Sequence, residues 1–296
     1  MPLSAKHPPK DYVSHNGMVN SVSWSWGEKF LPWCDVSLLT GSTDGSAKMW
    51  DVGRGECLVS FEGSVKGEEC RGAQFGWRNK VVMVGRGGGV EVFGYEVEKP
   101  DKGSVKPGVN RNRKWEVGRW DLGCKTVTSF VAVNSYRSSL VVAGGSDRTV
   151  RVLDLGSMKE VWKVEEAMGR SVGSLTIADY EWGSGVGWGS LFVSGCVGGG
   201  ARVWDLRVGS RSVVSLNGHV DRSVGVGIAV SPCGRFVGTG SEDNHVYLYD
   251  IRKTLVIERI PENHKDVVST VDFNPVYPEL ASGSYDGNGR LFRAPM

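Results

Sequence analysis

The sequence predicts an all-β fold built from one small antiparallel sheet copied six times. Three observations predict it: a hairpin pattern that recurs along the chain, a near-constant spacing between its copies, and a glycine content suited to frequent tight turns. The pattern is plainest from Leu38 to Asp51, LLTGSTDGSAKMWD, where an apolar run, a turn and a second apolar run close on Trp-Asp. Gly41, Ser42, Thr43, Asp44 and Gly45 supply the turn, and each flank has the short apolar or period-two pattern of a strand. The hairpin returns as LVVAGGSDRTVRVLD (Leu140 to Asp154), LFVSGCVGGGARVWD (Leu191 to Asp205), FVGTGSEDNHVYLYD (Phe236 to Asp250) and ELASGSYDGNGRLF (Glu279 to Phe292). A weaker sixth copy is VVMVGRGGGVEVF, Val81 to Phe93.

A turn carboxylate followed six residues later by a large aromatic serves as the internal ruler: Asp44 to Trp50, Asp243 to Tyr249, Asp286 to Phe292. In the other copies the same step joins Asp147 to Leu153, Gly198 to Trp204 and Gly87 to Phe93. The closing positions stand at 50, 93, 153, 204, 249 and 292, in steps of 43, 60, 51, 45 and 43. A repeat of about 40 to 45 residues with four strands each is the mark of a β-propeller blade. The two long steps hold insertions. This gives a single domain over residues 10–296, six four-stranded antiparallel blades with a seventh left open, and a flexible segment over 1–9.

These residues resemble the WD40-repeat β-propeller. In that family a His in the loop before a blade's first strand, a Ser or Thr of the second strand, the turn Asp and the Trp of the third strand form a buried hydrogen-bonded relay. The resemblance implies such a relay for His15, Thr40, Asp44 and Trp50 in blade one. It implies His219, Thr239 and Asp243 with Tyr249 in blade five, and His264, Ser282 and Asp286 with Phe292 in blade six. Blade three has Asp147 and no matching His, and blades two and four have Gly87 and Gly198 in place of the carboxylate. The second half, about Lys125 to Phe292, is similar to the C-terminal propeller of the WD repeat-containing protein 27 family. That family is regarded as scaffolding and leans toward flagellated or ciliated lineages, while its members are longer and carry an additional propeller.

A buried carboxylate is costly unless hydrogen-bonded, and a satisfied network fixes one loop geometry. The repeated Ser, His and Asp therefore read as bracing. A hydrolase triad needs one exposed nucleophile, and the sequence has no G-x-S-x-G stretch. GRGGGV (Gly85 to Val90) lacks dinucleotide spacing, and H-E-x-x-H, C-x-x-C and Walker patterns do not occur. The expectation is a non-enzyme with no cofactor, no metal and no small-molecule substrate.

Gly, at 42 of 296 residues, is about twice its average usage, as a fold of many turns requires. Thirty-five Lys and Arg against 33 Asp and Glu leave a charge of +2, which argues against nucleic acid or membrane as the partner of the whole surface. Six scattered cysteines without a signal peptide read as reduced thiols of a cytoplasmic protein. The uncharged run Trp182 to Ala201 is too Gly-rich and too clearly a blade hairpin to span a membrane.

In chain order, Asp11 to Ser14 is the expected clasp, a strand completing the last blade. Residues 94–114 form an insertion rich in Pro, Gly and charge, and Lys99, Lys102, Lys106, Arg111, Arg113 and Lys114 make it basic. It is a solvated loop or, in the alternative reading, a dock for RNA or an acidic partner within 99–119. Met158 to Val164 reads as an outer strand. The loop Tyr180 to Ser190 carries Trp182 and Trp188, as local core or as anchors for a partner. Partner proteins are expected at the blade rim. The candidates there are Met18, Asn20, Arg148, Asp221, Arg222, Val267 and Ser269, with Arg148 and Arg222 able to pair with a carboxylate or phosphate.

Overall fold

The computed structural model describes residues 11–293 apart from 26–36, 64, 66, 78, 98–111, 134–137, 178–190, 210, 254, 261–263 and 275–276. The described residues form antiparallel sheets and no helix. Blade one is β1 (Val19–Trp24), β2 (Ser37–Ser42), β3 (Ser46–Asp51) and β4 (Glu56–Glu62), hydrogen-bonded in chain order. Blade two is β5 (Cys70–Gly76), β6 (Val81–Arg86), β7 (Gly89–Glu96) and β8 (Arg113–Asp121). Blade three is β9 (Val127–Ala132), β10 (Leu140–Gly145), β11 (Val150–Asp154) and β12 (Lys159–Val164). Blade four is β13 (Val172–Ile177), β14 (Leu191–Cys196), β15 (Gly200–Asp205) and β16 (Ser212–Leu216). Blade five is β17 (Ile228–Val230), β18 (Phe236–Thr239), β19 (Val246–Asp250) and β20 (Leu255–Ile260). Blade six has three strands among the described residues, β21 (Val268–Phe273), β22 (Glu279–Ser284) and β23 (Gly289–Arg293).

Two expectations are corrected. Asp11 to Ser14 is not a strand, because its side chains are committed to blade one: Tyr12 lies edge-on to Trp50 and its hydroxyl reaches the Val52 carbonyl, and Lys48 Nζ donates to the Ser14 carbonyl at 2.6 Å. The insertion of blade two is shorter than 94–114, since β7 runs on to Glu96 and β8 already starts at Arg113. Arg113 and Lys114 are strand residues, and Lys114 Nζ donates to the Ser60 carbonyl at 2.6 Å.

Middle strands such as β2, β6, β10 and β14 are apolar almost without interruption and buried on both faces, as strands sandwiched between blades must be. Fourth strands in four blades carry one extra residue opposite the hairpin's closing position: Leu58, Val161, Val213 and Ile257. A bulge bends an edge strand and blunts it against further pairing. The carboxylates that end the third strands cap the next turn. Asp51 accepts the Arg54 N–H, and Asp250 accepts the Arg252 N–H and the Arg235 guanidinium. Asp154 takes the Ser139 hydroxyl, then Ser157, and its pKa falls to about 2.

Contacts gather the chain into two compact units, Met1–Arg119 and Trp120–Met296, where the sequence reading drew one domain over 10–296. In the first, blades one and two share a core of Leu39, Met49, Phe61, Phe75, Val82 and Phe93. Arg86 is fully buried between them. Its guanidinium donates to Gly45 O at 2.8 Å and Phe61 O at 2.6 Å in blade one, and pairs with Glu91 of blade two. Glu91, also buried, takes Arg119 on its other oxygen at 3.1 Å. In the second unit successive blades pack through Val152 and Phe192, then Val203 and Tyr249, then Val246 and Val271.

Removing one member of a buried pair leaves the other charge unsatisfied at a cost of about 3–5 kcal/mol. Glu91→Leu is therefore expected to lower unfolding free energy by about that amount in urea titration, while Arg86→Met with Glu91→Leu recovers most of it. A single variant within 1 kcal/mol of the parent, on the order of a surface substitution, would show that the pair does not brace the two blades.

Candidate functional site

In blade one the loop ahead of β1 meets the β2–β3 hairpin through four side chains. Trp50 Nε1 donates to Thr40 Oγ1 at 2.8 Å, Thr40 Oγ1 stands 2.8 Å from His15 Nε2, and His15 Nδ1 stands 3.0 Å from Asp44 Oδ2. The ionised Asp44 can only accept, so Nδ1 of His15 carries the proton, and the Thr40 hydroxyl, which accepts from the indole, is placed to donate to Nε2. Asp44 also accepts the N–H groups of Asn16 and Ser46 and the Ser46 hydroxyl. Burial acts to raise its pKa, but Ser46, Asn16 and His15 together outweigh it and hold the carboxyl well below the usual range. In blade six His264 lies between Ser282 Oγ (2.7 Å) and Asp286 Oδ2 (3.1 Å), and Phe292 offers no donor where Trp50 stands in blade one. The Lys265 N–H, then Asn288 and His264, depress Asp286 against the cost of burial. Composition here matches a Ser/His/Asp triad, yet Thr40 is buried and already accepts an indole proton. The network holds a loop and has no nucleophile to offer.

Blade five does not bring its three residues together as expected. His219 Nδ1 pairs with the Tyr249 hydroxyl at 2.8 Å, and its Nε2 lies 3.7 Å from Asp221 with no hydrogen-bond partner among the described residues. Asp243 instead takes the Tyr247 hydroxyl at 2.7 Å and Arg259 at 3.1 Å. Thr239 is buried beside them without bonding His219. The reason is countable: His264 precedes its aspartate by 22 residues and His219 by 24, so the loop is two residues longer and its histidine overshoots. Burial pushes Tyr249 up to about 12.

The degenerate blades meet the same need with other residues, none of which the resemblance pointed to. In blade three Arg151 closes on Asp147 at 2.6 Å in place of a histidine. In blade four Trp204 Nε1 donates to Ser194 Oγ at 2.8 Å, and Ser194 turns its proton to the Met168 sulfur at 3.3 Å, a thioether where blades one and six hold an imidazole. Gly87 and Gly198 stand at the ruler position with φ of 48° and 71°, a left-handed conformation that glycine adopts at the least cost. The missing carboxylate arrives from a neighbouring loop. Glu68 fills the space a side chain at Gly87 would take, and Asp221 binds the blade-four turn through Gly198 N to its carbonyl (2.5 Å) and Gly200 N to its carboxylate (3.2 Å).

One further signal was readable and missed. Four residues after the ruler position stand Lys48, Glu91, Arg151, Arg202, Tyr247 and Arg290, all polar within apolar strands. Lys48 reaches the Ser14 carbonyl and Arg202 the Ala167 carbonyl, in each case the residue just before His15 or Met168. They tie down the same loop from its other side.

Among rim candidates, Met18 and Arg222 are exposed. Arg148 pairs with Glu166 at 3.1 Å and Asn20 Nδ2 donates to Cys70 O at 2.7 Å. Ser269 donates to Gly283 O and Val267 is half-buried. Asp221 is corrected: it is buried and occupied by the blade-four turn, so it does not face a partner. Trp182, Trp188, Lys99, Lys102, Lys106 and Arg111 lie outside the described residues. Among the described residues no group of three His, Cys, Asp or Glu is placed to hold a metal.

Residues 7–51, 210–250 and 256–293 match the family described as WD domain, G-beta repeat, so those stretches carry WD40 repeats, and the antiparallel sheets of the described residues are consistent with WD40-type propeller blades. The matched stretches are those in which sequence keeps both a loop histidine and a turn aspartate. The Denticleless protein homolog of Homo sapiens is 24% identical over 319 residues, covering 96% of this chain and 41% of that protein. The WD repeat-containing protein WDS homolog of Arabidopsis thaliana is 26% identical, covering 94% and 47%. A guanine nucleotide-binding protein subunit beta of Zea mays is 35% identical over 85 residues, 28% of this chain. The chain spans about half the length of the first two.

Burial lowers the pKa of His219, outweighing the pull of Asp221 and Asp243. A group depressed on folding stabilises fully above its unfolded value, about 6.5 for His, and loses that contribution as pH falls below it. The thermal midpoint is expected to fall between about pH 7.5 and about pH 5, and His219→Gln to flatten that fall. Asp44 and Asp286 act with the same sign lower down, so Asp44→Asn is expected to flatten the loss below about pH 4. A parent protein with equal midpoints at neutral and mildly acid pH would contradict the first expectation.

Proposed function

We propose that this chain is a non-enzymatic scaffold that binds peptides or protein surfaces at the rim of its blades, within a larger assembly. The observation that carries the reading is how the polar side chains are used. In blades one and six, imidazole, hydroxyl and carboxylate are consumed in bonds to one another and to the loop backbone, and the other blades reach the same end with a sulfur, a guanidinium or a borrowed carboxylate. Such a construction sets each hairpin tip and its loop at a fixed place within its blade, as surface recognition needs, and keeps those side chains occupied in holding it. Similarity to a guanine nucleotide-binding protein subunit beta, a component of an assembly by its name, supports the same reading. A place in a ciliary or flagellar assembly is its narrower form, resting on the likeness of the second half to the WD repeat-containing protein 27 family.

Binding of RNA or an acidic partner through the basic stretch draws less support. Two of its six candidate cations belong to β8, and Lys114 is used on the Ser60 carbonyl.

Proximity labelling with the parent chain, Arg222→Glu and Met18→Asp tests the proposal. Both substitutions are at exposed positions and are expected to leave stability within about 0.5 kcal/mol, while at least one removes a reproducible subset of labelled partners. Identical partner sets for all three would refute rim binding at these two places.

A further inference from the structure

The loop ahead of β17, two residues longer than its counterpart ahead of β21, turns back onto the hairpin of its own blade. The N–H groups of Ser223 and Val224 both point at one oxygen, Oε1 of Glu242, at 2.5 and 2.6 Å, and the Ser223 hydroxyl reaches that oxygen at 3.1 Å. These two N–H groups, Val224 first, hold the Glu242 carboxyl below its usual value, with the Ser223 hydroxyl and the Arg222 N–H adding to them. Consecutive N–H groups aimed at one point make an anion-binding concavity. Arg222 and Ser223 are exposed, and the Arg222 guanidinium makes no ion pair among the described residues.

A charge is not needed to shape this hairpin tip. At the same register blade one has Thr43, whose hydroxyl accepts the Met18 N–H at 2.9 Å, and blade six has Tyr285, whose N–H donates to Val267 O. Blade five alone of these three concentrates donors on an anion there, and the residue before those donors in the chain is Arg222, whose guanidinium makes no ion pair among the described residues.

We propose that residues 222–224 form an anion-recognition site on the blade-five rim, filled by Glu242 in the free protein, and that a phosphate monoester on a partner's serine or threonine displaces it. The proposal rests on the scaffold reading for the partner and on the geometry alone for the site. Glu242 engages the donors through a single oxygen and leaves Arg222 unused. A phosphate carries close to two charges and three acceptor oxygens, enough to take the N–H groups and the guanidinium together. A partner's carboxylate brings no such advantage over Glu242, whose tether gives it an effective concentration on the order of millimolar.

The test uses the full chain and N-acetyl-O-phosphoserine amide, read by the amide shifts of Ser223 and Val224 and by calorimetry. Glu242→Ala empties the site and is expected to bind the probe about tenfold more tightly than the parent, near 1.4 kcal/mol. Arg222→Ala in that background is expected to lose most of the gain. N-acetylserine amide and acetate are expected to bind neither variant measurably. Glu242→Gln, which keeps the side chain's length, serves if the alanine variant is unstable, with a smaller gain in the same direction. No shift of either amide in the Glu242 variants, binding indifferent to Arg222, or acetate binding as tightly as the phosphate overturns the proposal. Such a failure leaves the labelling result above untouched, whereas phosphate binding with unchanged partner sets counts against the scaffold reading alone.

Discussion

An anion at the turn between the second and third strands of a blade is the constraint on which the rest of this structure depends. One blade cannot bury its apolar faces by itself, and its place is set in part by the loop that leads into it. Asp44 does this by accepting two loop or turn N–H groups and the His15 ring at once, so that one carboxylate determines where residues 14 to 18 lie. The energetic weight is in satisfied geometry more than in charge, because the polar groups of the relay are largely withdrawn from water and are costly without their partners.

What is held constant across the blades is the place of that anion, not the residue that supplies it. Blades one, three, five and six draw it from their own hairpin. Blades two and four have a left-handed residue at that point, which selects glycine and removes the side chain, and Glu68 and Asp221 come in from adjacent loops. The counter-group varies in the same way: imidazole, guanidinium and thioether all occupy the position facing the second-strand hydroxyl or the turn carboxylate. The buried Arg86–Glu91 pair extends the same logic inward, since it makes blade two a partner of the Gly45 turn rather than of its own.

Strand order, hairpin positions and the closing aromatics were legible because period-two patterning and six-residue spacing are local properties of the chain. The outer strand over Met158 to Val164 was legible too, from position alone. The relays of blades one and six followed from residue identity, because a histidine four residues before a strand and an aspartate at a glycine turn have little else to do in this fold. Blade five misled the same reading, as identity was kept while spacing shifted by two residues, and spacing decides whether an imidazole arrives. Borrowed carboxylates are invisible to a repeat-by-repeat reading, which compares each turn with its own copy and not with the loop folded over it. Asp11 to Ser14 failed for a different reason: KDYV has strand character, but Tyr12 and Ser14 find better use against Trp50 and Lys48.

Blade five shows how a recognition surface can arise from a scaffold whose side chains are otherwise occupied. Two extra residues carry His219 past Asp243, and one oxygen of the aspartate is taken instead by Tyr247 and Arg259, the other having no hydrogen bond among the described residues. The loop no longer needs its histidine to be held, because the Val220 N–H and carbonyl are tied to Ser241 and Glu242 and its tip to the Glu242 carboxylate. That last attachment is the only one of the three made by a charged side chain at a half-exposed position, and an exposed ionic tether is worth little beyond its geometry. Loss of the relay and gain of a carboxylate-held loop are therefore one event: the insertion that breaks the repeat's rule is what sets two consecutive N–H groups on one half-exposed carboxylate.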